Sequence, residues 1–226
     1  MPPRRDEHAN LRSDAPPPRL YVLEGPDGVG KSELGRQVVS QLLARGVDVL
    51  HTAFPGNHPG TLGKLVYDIH HNEEGFGLEQ LSPAALQLLH LAAHVDAIET
   101  RILPAIRRGT TVVLDRYWWS MEAYGSVGKV RQQFLSDMVA LERAAWDDVC
   151  PSIVFLVDRD EPLRPEPMGA WRKVRAAYRR IADRETALHA IVVVDNRGTV
   201  EEATTALLNA IVGPSPRLAE GSRERS

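Results

Sequence analysis

The chain has a single cysteine, Cys150, among 226 residues, so no intrachain disulfide is available. The residue reads as a small, partly buried side chain in a reducing, cytoplasmic setting rather than as a nucleophile. Long apolar runs are also missing. No stretch approaches the roughly 18 residues of a membrane-spanning helix. The opening segment, MPPRRDEHANLRSDAPPPR, is basic in part but has no apolar core, so it does not read as a secretory signal. Charge of one sign is lacking too: 27 Lys and Arg face 30 Asp and Glu, a net charge of −3 with His neutral. That balance gives no electrostatic reason to bind nucleic acid. A local arginine cluster could still hold a small anion.

What remains is the composition of one soluble globular domain, 43% hydrophobic and 25% charged. Residues 1–18 and 214–226 are proline-rich or charged with little that is apolar, and are expected to be disordered tails. Residues 19–213 form the domain between them, with no internal repeat and no dividing linker.

Leu20 to Glu24 is a short apolar run suited to a buried strand. It leads into Gly25-x-x-x-x-Gly30-Lys31-Ser32, the spacing of a phosphate-binding loop. Glycines let backbone N–H groups crowd around phosphate oxygens. The helix that begins near Lys31 turns its positive end to the same anion. Lys31 can reach the outer phosphates, and the Ser32 hydroxyl can ligate Mg²⁺. A nucleotide such as ATP is thus expected on Gly25, Asp27, Gly28, Val29, Gly30, Lys31, Ser32 and Glu33.

Beyond the loop, helical and extended patterns alternate. A helix over 31–44 precedes a strand over 47–54, broken at Pro55-Gly56-Asn57, and a short helix over 61–71. Ser82-Pro83 starts a helix that runs to about Arg108, with Pro104 expected to kink it or end it early. Leu88, Leu91, Val95, Ile98, Ile102 and Ile106 form one apolar stripe, and Leu86, Leu89 and Ala93 widen it. A helix apolar on two sides can pack on the sheet and on a second copy, which predicts a homodimer through 83–108. Strands follow over 111–114, 153–157 and 190–194, and helices over 119–125, 132–146, 171–185 and 199–212. Residues 158–169, polar and proline-rich, read as a mobile lid. The pattern predicts an α/β fold: a five-stranded parallel sheet with helices on both faces and ligands at the strands' carboxyl ends.

With Gly25-Pro26-Asp27-Gly28-Val29-Gly30-Lys31-Ser32, Thr52-Ala53-Phe54-Pro55, Asp115-Arg116-Tyr117 with Ser120 and Ala123-Tyr124 behind it, and Val174-Arg175-x-x-Tyr178, the chain resembles the thymidylate kinases over most of residues 20–212. The resemblance implies a P-loop kinase that uses ATP and Mg²⁺ to phosphorylate a deoxynucleoside monophosphate, dTMP or a related nucleotide. It assigns Arg116 to the acceptor's 5′-phosphate, where a planar, charged fork suits the oxygens. Asp115 goes to the Mg²⁺ shell with Ser32, or else to a salt bridge with Arg116. Asp27 goes to the sugar 3′-hydroxyl, or else is a turn residue. Phe54 would stack on the base or only pack the core. Tyr124 would lie beneath the sugar, near Ser120, or be a structural aromatic.

The departures from the family are local. His94, in Ala92-Ala93-His94, stands where the family has an arginine that meets the pyrimidine. A neutral imidazole offers fewer donors than a guanidinium, so a reduced margin for thymidine monophosphate is expected. Met121 follows Ser120 where small or amide residues are common. The loop has no basic residue besides Lys31, so a transition-state cation would come from the lid, where Arg159, Arg164 and Arg172 are available; Arg164 and Arg172 are the catalytic choices. Three other readings compete. A deoxynucleoside kinase would need an acid after the second strand, where the sequence has Ala53-Phe54-Pro55. A nucleotide switch without catalysis would leave the lid arginines and Asp115 without a use. A metal site on His90 and His94 lacks the glutamate of a metalloprotease helix.

Overall fold

The computed structural model describes residues 19–213, and both expected tails lie outside it. The strands are β1 (Leu20–Glu24), β2 (Val49–Ala53), β3 (Thr111–Asp115), β4 (Ile153–Asp158) and β5 (Ile191–Asp195). All pairs are parallel, in the order β2-β3-β1-β4-β5. β1 lies at the centre and is buried along its whole length. Its alternation divides the core. Leu20 and Val22 pack in one apolar cluster, and Tyr21 and Leu23 pack in another on the opposite face.

The second cluster is closed by α1 (Lys31–Ala44) and α8 (Val200–Val212), through Leu34, Val38, Leu42, Leu207 and Ile211. The first is closed by α3 (Pro83–Ala97), α4 (Leu103–Arg107), α5 (Trp118–Val127), α6 (Gln132–Ala145) and most of α7 (Met168–Glu185). α2 (Leu62–His71) packs on α3. Local chemistry starts several of these helices. Thr61, Ser82 and Thr199 accept the backbone N–H three residues on, and Thr199 with Glu202 completes a capping box. The loops after β1 and β3, neighbours in the sheet, lead to helices on opposite faces, and a crevice opens between them.

The helix expected over 83–108 is interrupted. Ile98–Ile102 is a π-helical turn, closed by the Leu103 N–H bonding to the Ile98 carbonyl, and α4 begins with Pro104 in its first turn. The proline has no N–H to continue an α-helical ladder, and the wider turn absorbs that loss. Leu88, expected in the core stripe, is 42% exposed; Leu91, Ala93, His94 and Ala97 are the buried residues of α3. Cys150, expected to be partly buried, is exposed, because it falls in the connection between α6 and β4. Among the described residues no helix is long and apolar enough to cross a membrane.

Candidate active site

The loop after β1 bends through left-handed backbone at Gly28 and Gly30 and a further positive φ at Gly25. Two glycines are also fixed by contact. A Cβ on Gly25 would stand 2.4 Å from the Val157 carbonyl oxygen, and one on Gly30 would stand 2.5 Å from Asn196 Nδ2. Lys31, buried at the first position of α1, folds back and donates to the carbonyls of Gly25 (2.7 Å) and Pro26 (2.8 Å). Burial and the nearby Arg116 lower its pKa to about 8, against the opposing pull of Asp115, Asp27 and Glu24. Val29 packs in the core below the loop, and its carbonyl accepts from Asn196 Nδ2 at 2.7 Å.

Ser32 donates its hydroxyl to Asp115 Oδ2 at 2.6 Å. The other carboxylate oxygen, Asp115 Oδ1, is buried and has no hydrogen-bond partner among the described residues. A hydroxyl beside an unsatisfied buried carboxylate is a donor set that fits a hard divalent cation. A cavity of about 210 Å³ lies against these groups, lined by Gly28, Gly30, Lys31, Glu33 and Leu163 among others. Glu33 also pairs with Arg36 and accepts from Gln37 (2.8 Å).

Arg116 follows β3 with φ +77°, a left-handed conformation that is costly for a residue with a Cβ. The turn sends its side chain away from Asp115 toward Asp27, with which it forms an ion pair; Nη1 also lies 3.4 Å from Ser120 Oγ. Burial alone would raise the pKa of Asp27, but Arg116 and Lys31 outweigh it and hold the carboxyl below its ordinary value. The Asp27 N–H donates to the Tyr124 hydroxyl at 2.9 Å, and the Arg116 guanidinium lies 5.3 Å from the centre of the Tyr124 ring. Arg164, in the connection between β4 and α7, reaches to within 3.8 Å of Asp27 and bonds Glu166 (2.8 Å).

A larger cavity, about 580 Å³, continues from this point between α2, α3 and α5. Phe54 and His94 both line it, though each is almost fully buried. Their rings stack with centroids 4.2 Å apart and planes 13° from parallel. His94 Nδ1 bonds the buried Glu142 Oε2 at 3.0 Å. The two rings thus pack in the core and line the cavity at once. His90 stands one turn earlier, 3.1 Å from His70 on α2. Burial, with the neighbouring His94 and His70, pushes its pKa down to about 3, so it is neutral at pH 7. Met121, Ser120 and Tyr124 line the wall supplied by α5. Among the described residues no group of three or more His, Cys, Asp or Glu is placed to hold a metal ion.

The connection after β4 and the start of α7 rest on the phosphate loop. The Leu163 N–H donates to the Gly28 carbonyl (2.8 Å), and Trp171 Nε1 donates to the Asp27 carbonyl (2.7 Å). At the base of this connection, Arg175 grips both oxygens of Asp158 (2.6 and 2.9 Å) and Arg179 pairs with the same carboxylate. Burial would raise the pKa of Asp158; the hydrogen bonds from Arg175 and Arg179 prevail and lower it. Arg172 lines neither cavity. It follows Trp171 on the exposed side of α7, because Trp171, Val174 and Tyr178 take the buried side. Arg159 is held by the carbonyls of Glu161 and Asn196.

Sequence reasoning missed Glu24, Glu142, Asn196 and Trp171. Glu24 is fully buried at the end of β1 and accepts from the N–H groups of Tyr117 (2.7 Å) and Ser120 (3.0 Å). Glu142 had a visible signal: it falls on the apolar stripe Leu135, Met138, Val139 of α6, where a lone acid must have a partner.

Residues 23–205 match the family model described as thymidylate kinase. The chain is 31% identical over 175 residues to a thymidylate kinase from Exiguobacterium sp., covering 75% of each chain. It is 32% identical over 177 residues to one from Chlamydia muridarum, covering 75% of this chain and 79% of that one. Its fold is similar to the crystal structure of thymidylate kinase from Ehrlichia chaffeensis, with a TM-score of 0.69 at 20% identity, covering 87% of this chain and all of that one.

Proposed function

The chain belongs to the thymidylate kinase family, and from that premise we propose how its residues carry a phosphoryl group from ATP to dTMP. One observation carries the reading. The two cavities meet at Asp27, Ser32, Asp115, Arg116 and Arg164, which line both. Donor phosphates on the Gly25–Ser32 loop and an acceptor phosphate at Arg116 thus face one another across a single polar junction. Phosphoryl transfer needs little more than such positioning and charge stabilisation.

Backbone N–H groups of Gly28 to Lys31 would hold the donor phosphates, and Lys31 would leave its two carbonyl partners for them. Ser32 and Asp115 would hold Mg²⁺, which neutralises charge on the phosphates when bound. Arg116 would hold the acceptor 5′-phosphate, and Asp27, already paired with it, the sugar 3′-hydroxyl. Tyr124 would support the sugar, and Phe54 and His94, stacked as a unit, would face the base. Arg164 is the lid cation at the junction and is the choice over Arg172. The single cysteine and the use of free nucleotides support a cytoplasmic setting for this work. The deoxynucleoside kinase alternative does not hold.

The exposed Leu88 on α3, with exposed Leu62 and Leu65 on the adjoining α2, supports a homodimer through these helices. Light scattering on Leu88→Glu, expected to shift the protein to monomer, tests it. For the reaction, a panel of nucleoside monophosphates with ATP and Mg²⁺, followed by ADP release, should give turnover highest for dTMP. Arg116→Ala should raise the acceptor KM strongly with ATP affinity nearly unchanged. Lost ATP binding in that variant would place Arg116 on the donor side, and no turnover above basal ATP hydrolysis would end the kinase assignment.

A further inference from the structure

We infer that Glu24 is a positioning residue for the acceptor clamp: from the end of β1 it holds the turn that carries Arg116 and, through Ser120, the guanidinium itself. The inference rests on the reading of Arg116 given above. Glu24 touches neither cavity, so it is not a group that meets substrate. One carboxylate oxygen accepts the N–H groups of Tyr117 and Ser120, the latter shared with the Tyr117 carbonyl (3.0 Å), at the start of α5, where a helix end favours an anion. The other accepts the Ser120 hydroxyl at 2.8 Å. That hydroxyl oxygen lies 3.4 Å from Arg116 Nη1 and 2.7 Å from the Tyr178 hydroxyl.

A helix cap alone would be complete with the amides. Here the second oxygen is spent on Ser120 Oγ, a side-chain atom of α5 that lies beside Arg116. The backbone of Arg116 is bound to the same strand, its N–H donating to the Leu23 carbonyl at 2.9 Å. Its left-handed φ persists only where the surroundings impose it. Leu23 and Glu24, the last two residues of β1, therefore grip this turn on both sides of Arg116. Burial raises the pKa of Glu24 to about 7, with Ser120, Arg116 and Lys31 pulling it down. An acid kept at such a disadvantage is a poor choice for mere packing.

The test is a double-mutant cycle on Glu24→Gln and Arg116→Ala, reading KM for each nucleotide, kcat and thermal unfolding. Glutamine keeps the volume and an oxygen for the amides, but it presents an NH₂ to Ser120 Oγ and reverses that hydroxyl. The expected result is an acceptor KM raised about tenfold or more, with the ATP KM changed less than about twofold. In the Arg116→Ala background, Glu24→Gln should add nothing to the acceptor KM. A wild-type acceptor KM in Glu24→Gln, or the same rise with and without Arg116, overturns the inference. If Glu24→Gln does not fold, Ser120→Ala decides, since it keeps the amide cap and removes only the link; an unchanged acceptor KM there also overturns it. An Arg116→Ala enzyme with a wild-type acceptor KM would instead bring down the underlying assignment, an outcome visible in the cycle's own control.

Discussion

Replacing Lys31 by methionine should abolish turnover and yet leave the nucleotide-free protein at least as stable as before. The lysine is buried, and its pKa falls from 10.5 to about 8 because burial and Arg116 outweigh Asp115, Asp27 and Glu24. A displacement of that size means that holding the charged form costs about 3 kcal/mol relative to the unfolded chain. Methionine removes that cost and keeps most of the volume. It also leaves the Gly25 and Pro26 carbonyls without their donor, a loss of about 1–3 kcal/mol. The balance lies between no change and a gain of about 2 kcal/mol. For a chain of this size that is a Tm between unchanged and about 6 °C higher at pH 7. The sign with pH follows from the direction of the shift. The penalty is fully present below pH 8. It fades as pH rises from 8 to 10.5, where the folded lysine has lost its proton and the unfolded one has not. Wild type should therefore gain on Lys31→Met between pH 8 and 10. Thermal unfolding across that range, with and without ATP, is the assay, and the rise in Tm caused by ATP should shrink in the variant. A Tm lower by more than about 4 °C at pH 7, or a difference that ignores pH, would refute the reasoning.

Two further outcomes follow from the same geometry. Asp115→Asn should lower kcat by about a hundredfold or more and shift the Mg²⁺ concentration for half-maximal rate upward, as read from a metal titration of initial rates. His94→Ala should cost about 3–5 kcal/mol, because it strips a buried carboxylate, Glu142, of its partner as well as unstacking Phe54; denaturant unfolding should show it, and Glu142→Leu added to it should recover part of the loss.

The elements that could be read from sequence are those whose chemistry is local. Gly25 to Ser32 shows its purpose within eight residues. The five strands, the cap at Ser82 and the alternation of helix and strand depend on neighbours at short spacing. The pairings that build the site do not. Asp27 and Arg116 are 89 positions apart, Glu24 and Ser120 are 96, and Asn196 and Val29 are 167. No periodicity reports contacts of that reach; the sheet order creates them by setting β3 and β4 on either side of β1. Adjacency offered Asp115 and Arg116 a salt bridge to each other as the alternative to a metal role; the left-handed backbone at Arg116 parts them, one toward Ser32 and the other toward Asp27.

The π-turn at Ile98–Ile102 has a consequence for how this domain tolerates change in length. An α-helix advances about 100° per residue and the wider π-turn less, so removing a residue here would change the angle between α3 and α4, and Pro104 would still leave the α-helical ladder one N–H short. The C-terminal part is anchored under the sheet by Ile102, Leu103 and Ala105. The N-terminal part would have to turn, carrying His90 and His94 off the cavity wall and Glu142's partner with them. The extra residue thus acts as a phase offset between two halves of one rod, one half in register with the sheet and the other in register with the nucleotide. Deletions should be borne in the 72–82 connection, which joins two helices, and not within these five residues.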